Sequence, residues 1–166
     1  MKTINLIFVC CLSLLVSCDN STESSDNSLN EVEITVKPVV IKTSTDYNNK
    51  LFRTSFPKME LLHEIGEAYQ KSYSDNLKKQ LISYMIEKAD TLGESGEILN
   101  ECIEVTGCKI ESPVSLPTYA ERAKYNGEDA WMIQLVWGAS PFDLGHYKCF
   151  AISMVSKDTL YFKRCK

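Results

Sequence analysis

Two histidines and seven cysteines are the side chains in this 166-residue chain best suited to metal or nucleophilic chemistry. His63 and Glu64 open the stretch His-Glu-Ile-Gly-Glu, in a segment with helical spacing. A zinc-peptidase helix needs a second His four residues after the first, on the same face, and that position is Glu67. His63 therefore reads as an ordinary helix residue. Ser140, Asp143 and His146 supply the three groups of a nucleophile, acid and base relay within one seven-residue stretch. Such triads assemble from distant segments, and no Gly-x-Ser-x-Gly turn is present. The stretch reads instead as a capped loop entering a strand. The seven Gly are scattered and form no phosphate-cradling loop. The 22 acidic residues leave a carboxylate pair open, because spacing in sequence does not fix one. An envelope hydrolase working through carboxylates, with His146, on cell-wall or glycan substrates is the alternative function this keeps.

The remaining chemistry is that of binding. Trp137, Pro141, Phe142 and Leu144 crowd a loop bounded by Gly138 and Gly145. Apolar loop residues need burial or a partner. Trp137, Phe142, Asp143, Leu144 and His146 are the candidate binding residues, either tucked on the sheet end or forming a recognition loop. Lys163, Arg164 and Lys166 make the C-terminus basic, suited to an anionic surface or to discouraging strand pairing at an edge. Residues 87–111 hold Glu87, Asp90, Glu94, Glu97, Glu101, Glu104 and Glu111 against Lys88 and Lys109, a solvated acidic face or a dock for a basic partner. A net charge of -4 argues against a sequence-independent nucleic-acid binder. No cofactor and no metal site are expected.

The elements that must position these residues follow from periodicity. Val32, Ile34 and Val36 alternate and predict a strand over 31–41, with Pro38 marking an edge or bulge. Residues 43–57 are polar and turn-like. Apolar residues at three- and four-residue spacing predict helices over 58–71 and 75–92, with Ser74 as an N-cap and Gly93 past the end. Residues 97–103 suit a short helix. Asn126-Gly127 predicts a tight hairpin joining 118–125 to 128–137, pairing Tyr125 with Glu128, Lys124 with Asp129 and Arg122 with Trp131. A helix begun near Pro117 is the alternative for 118–125. Two further strands, 146–155 and 159–165, flank a turn at 156–158. The expected fold is α+β: an N-terminal strand, two helices, then a twisted antiparallel sheet of three to four strands, in a single domain over 31–166.

The N-terminus carries an address. Residues 4–16 are mostly apolar, the length of a signal-peptide core and too short to span a bilayer. The run ends in Leu15-Val16-Ser17-Cys18, which resembles the lipobox of bacterial lipoproteins. The resemblance implies removal of residues 1–17, a lipid thioether on Cys18 and anchoring in the cell envelope by acyl chains. Residues 19–30 are small and polar, a flexible tether behind the lipid.

That processing discards Cys10 and Cys11 and lipidates Cys18, leaving Cys102, Cys108, Cys149 and Cys165. Four Cys in an exported domain suggest two disulfides. A turn centred on Lys157 would set Cys149 opposite Cys165, close enough to bond. Elimination then pairs Cys102 with Cys108. The stretch 125–133 and the following 146–161 are weakly similar to PepSY-like and cystatin-like envelope modules, although Ser156-Lys157-Asp158-Thr159 lacks the glycine of their last turn. The resemblance implies a binding or inhibitory role. The expected function is a lipid-anchored, non-catalytic envelope domain that binds a protein partner, as inhibitor, immunity factor or assembly component.

Overall fold

A computed structural model describes residues 32–108 and 114–165; of Cys165 it describes the backbone. The element order is β1 (Val39–Tyr47), α1 (Asn49–Ser55), α2 (Met59–Tyr69), α3 (Asp75–Thr91), α4 (Gly96–Val105), β2 (Ser115–Tyr125), β3 (Glu128–Trp137), a 3-10 turn (Pro141–Asp143), β4 (His146–Ser153) and β5 (Thr159–Cys165). The strands form one sheet in chain order. β1 runs parallel to β2, and the other neighbours are antiparallel. The fold is thus mixed α and β, as expected in class; it has four helices where two or three were expected, and its sheet has five strands where three to four were expected, because β1 joins the antiparallel β2–β5 in parallel to β2.

Local chemistry explains most boundaries. Asn48, Ser74 and Ser95 each accept a hydrogen bond from the third residue onward, capping α1, α3 and α4. Asn126 and Gly127 both have positive φ, as a two-residue hairpin requires. The expected pairs Tyr125 with Glu128, Lys124 with Asp129 and Arg122 with Trp131 all form, and residues 118–125 are strand. The Arg122 side chain also reaches Glu94, which in turn holds Lys42, tying the α3–α4 turn to β1 and β2.

The first strand lies later than its alternation suggested. Residues 32–38 precede the sheet and bend at Val36. The Tyr69 hydroxyl both donates to the Val36 carbonyl and accepts from its amide, so those backbone groups are satisfied by a side chain. Val32, Ile34 and Val36 pack beside α2 and the start of α3. β1 instead runs through the polar Thr43-Ser44-Thr45-Asp46, read above as turn. Its hydroxyls are there because the strand faces a buried carboxylate, described below.

Alternation splits the sheet into two covered faces. Ala120, Trp131, Ile133, Leu135, Phe150 and Ile152 pack against Met85 and Ala89 of α3 and Leu99, Cys102 and Ile103 of α4. On the other side Tyr119, Ala123, Met132, Cys149 and Ala151 meet Tyr47, Phe52 and Phe56, with α1 and the chain after it as cover. Helix α2 closes the end of the sheet over Leu116 and Val136. Gln134, fully buried, accepts from the Lys58 amide at 2.5 Å and donates to the Lys58 carbonyl, pinning the link between α1 and α2.

The disulfide expectation is corrected. Cys102 and Cys108 are separate buried thiols: the Cys102 Sγ lies 3.9 Å from the Ser153 carbonyl and the Cys108 Sγ 3.8 Å from that of Ser115. The β4–β5 register sets Cys149 opposite Lys163 and Cys165 opposite Tyr147, so the direct opposition of Cys149 and Cys165 does not occur. The cause is the turn. The Ser153 hydroxyl accepts from the Val155 and Ser156 amides, and a register shift follows at Ile152. The wider turn slides the register by two residues. The Cys165 side chain, Cys18 and the signal and tether segments lie outside the described residues.

Burial pushes the Cys102 thiol up to about 11. Burial likewise raises Cys108, its hydrogen bond with Ser115 opposing the shift. Thiolate is the reacting form. Iodoacetamide is expected to leave both thiols unmodified in the native domain at neutral pH and to label both after unfolding, read by peptide mass. Labelling of native Cys108 at the unfolded rate would contradict this burial.

Candidate functional site

The candidate residues gather at the corner where β3 ends, β4 begins and β5 ends. Trp137 closes β3 opposite His146, and both project to the face that α4 covers. Their rings lie 5.2 Å apart. Lys148, one step along β4, places its Nζ 5.2 Å from the Trp137 ring centre. Arg164 of β5 stands opposite Lys148 and stacks 4.2 Å from the same ring. Burial, and next the neighbouring Arg164, lower the Lys148 pKa. Neither cation has a carboxylate partner among the described residues. One indole thus carries two un-neutralised cations, the geometry of cation–π stacking.

The 138–145 loop is both tucked and presented. Leu144 is buried with Leu62, Ile65 and Val136. Gln70, at the C-cap of α2, donates to the Phe142 carbonyl. Gly66, which weakens α2 on propensity alone, lets the Leu144 carbonyl approach the helix: a Cβ there would sit 3.2 Å from that oxygen. Asp143 lies 3.8 Å from His146, an ion pair only when the imidazole is protonated. Anchored at these points, the loop holds Phe142 out in solvent, 75% exposed. The five candidates therefore share one corner, with Leu144 in a packing role and Phe142 at the tip.

The Ser140 side chain makes no capping hydrogen bond to the turn that holds Asp143, and no hydrogen bond joins it to His146 among the described residues, so the three do not form a relay. His63 is exposed on α2. Among the described residues, no cluster of three His, Cys, Asp or Glu side chains could hold a metal ion. No described helix is long and apolar enough to cross a membrane. The acidic stretch is partly spent inside the fold: Glu94 binds Lys42 and Arg122, Asp90 accepts from the Gly96 amide, and Glu101 pairs with Lys157 at 3.0 Å.

A second constellation went unread in the sequence. Glu121 of β2 is 2% exposed, and its carboxylate accepts from Thr43 at 2.6 Å, Tyr47 at 3.0 Å and Tyr119 at 2.7 Å. Tyr119 and Glu121 share a strand face at two-residue spacing, the only local signal. Glu121 projects to the face opposite His146, so the sheet itself separates the two. A carboxylate saturated by three hydroxyls is built to organise a core.

Burial first, and then Glu121, raise both tyrosines above their ordinary value. The unfolded chain therefore releases these protons first as pH rises. Stability is expected to be level below pH about 10 and then to fall by ~1.4 kcal/mol per pH unit for each tyrosine. Urea unfolding at stepped alkaline pH checks this. Tyr47→Phe should remove one tyrosine's share of the slope; an unchanged slope would refute the assignment.

The fold defines a layered α/β domain with helices on both faces of a five-stranded mixed sheet. Comparison with protein-family models, curated proteins and solved structures finds no match.

Proposed function

We propose that this chain is a lipid-anchored envelope lipoprotein whose folded domain binds a protein partner through the corner built around Trp137 and the 138–145 loop. The observation that carries the reading is Phe142: a single aromatic side chain, 75% exposed, held out by a loop otherwise fixed through Leu144 and Gln70. Burying such a ring needs little further ordering, and rigid aromatic anchors dominate interface energetics. The role is that of an inhibitor, immunity factor or assembly component. The anchor rests on Leu15-Val16-Ser17-Cys18.

Two measurements test the two halves. Cys18→Ala is expected to shift the protein from the membrane to the soluble fraction, and retention in the membrane would refute the lipid anchor. A photoreactive Phe142→p-benzoylphenylalanine variant of the full chain, irradiated in the producing cells, should give one discrete protein adduct. The same residue at Lys79 on α3 should not. Equal adducts from both positions, or none, would refute recognition by the loop.

A further inference from the structure

β5 is an edge strand, and three features of it point the same way. Its outer row of backbone N–H and C=O groups has no strand partner among the described residues. Edges are commonly guarded by proline, bulges or free lysine. β5 contains no proline, and its irregularity sits at its start, opposite Ile152, leaving the later residues in regular register. Its lysine is engaged: Lys163 donates to the Phe56 carbonyl at 3.4 Å on the far face.

The near face is chemically patterned. Phe162 is 48% exposed, its ring 4.8 Å from that of Phe150. Two residues on, Arg164 stacks with Lys148 on Trp137. An apolar site and a cationic site thus alternate at strand spacing along an open edge. Resting on the partner-binding reading above, we infer that β5 receives an extended acidic segment of the partner protein as an added strand, with an apolar side chain on Phe162 and a carboxylate held by Arg164 and Lys148 over Trp137.

Strand addition supplies affinity through main-chain hydrogen bonds and specificity through side chains at alternate positions. The charge pattern selects the occupant. Two adjacent cations, one of them half-buried beside an aromatic ring, are unfavourable together until an anion joins them. A second copy of this chain would bring a strand bearing Lys163 and Arg164, adding cations to an uncompensated pair. An anionic lipid headgroup would neutralise the pair but leave the edge backbone and Phe162 unmatched.

Phe162→p-benzoylphenylalanine in the full chain, irradiated in the producing cells, tests the inference beside the Phe142 probe. The expected product is a protein adduct whose cross-linked peptide holds Asp or Glu two residues from the labelled residue. Arg164→Glu should cut that adduct about tenfold, the cost of opposing a carboxylate with a like charge. Arg164 is exposed, and an unchanged melting temperature will confirm that the variant folds. A protein adduct at position 142 with none at 162 overturns strand addition and leaves the partner-binding reading standing. So does a 162 adduct that is insensitive to Arg164→Glu or that maps to a basic segment. A lipid adduct or a self-adduct at 162 overturns strand addition as well. Failure of both probes overturns both.

Discussion

Gly138→Ala is expected to destabilise the domain by about 3 kcal/mol and to abolish the Phe142 cross-link. A Cβ at this position would lie 2.2 Å from the Asp143 carbonyl oxygen, 2.6 Å from its carbon and 2.9 Å from the Ser140 oxygen. Favourable contacts between carbon atoms begin near 3.5 Å, and every clashing atom is backbone, so no side chain can swing away. The loop must open. Opening it breaks the Gly138 bond to Val114 or the Asp143 bond to Ser140, both at 3.0 Å. It also withdraws Leu144 from its cluster with α2. Gly145→Ala is the control at the other end of the loop, where an added Cβ meets nothing within 4 Å. That variant should stay within about 1 kcal/mol of the parent. Urea unfolding of the two variants decides the matter. Equal stabilities would mean that the loop is not held as described, and the presentation of Phe142 would lose its basis.

Glu121→Leu should cost about 4 kcal/mol. The carboxylate is the acceptor for Thr43, Tyr47 and Tyr119, and all three hydroxyls lose it together. Tyr47 and Tyr119 are 5% and 4% exposed, so water does not readily replace it. Stranding buried donors is what costs, and it yields a distinctive rescue. Adding Tyr47→Phe and Tyr119→Phe to Glu121→Leu removes two of the three stranded hydroxyls and should restore about 2 kcal/mol, although each tyrosine change alone destabilises the parent. Additive losses in the triple variant would show that Glu121 contributes through packing alone. The Phe142 and Phe162 cross-links should persist in the folded triple variant, because the cluster lies on the opposite face of the sheet. Loss of both adducts would connect Glu121 to recognition.

Much of the late half of the domain was legible because its signals are local. Asn126 and Gly127 are the residues that tolerate positive φ together, so the turn and its register follow directly. β3 occupies the expected 128–137, with Trp131, Ile133 and Leu135 turned to one core. Ser74 caps α3 where expected, since a short hydroxyl reaches its own helix amides whatever surrounds it. The second hairpin shows the limit. Its strands were readable, but the turn gathered on the Ser153 hydroxyl is wider than the three residues expected and moved the register by two residues. A cysteine pairing inferred from register moved with it.

The sequence by itself determined the periodic elements, their caps and the tight turn, because those depend on a residue and its near neighbours. It also carries the Cys18 signature on which the envelope reading rests. Only the tertiary structure decided what depends on distant partners. It placed β1 in a polar stretch, since Thr43 and Tyr47 meet Glu121 across 78 and 74 residues of chain. It gave Gly66 a reason in the Leu144 carbonyl. It brought Trp137, Lys148 and Arg164 to one ring through strand pairing. Hydroxyls, glycines and cations are ambiguous locally because each is equally stable in water. Which of them the fold removes from water, and against what, is settled only when the sheet closes.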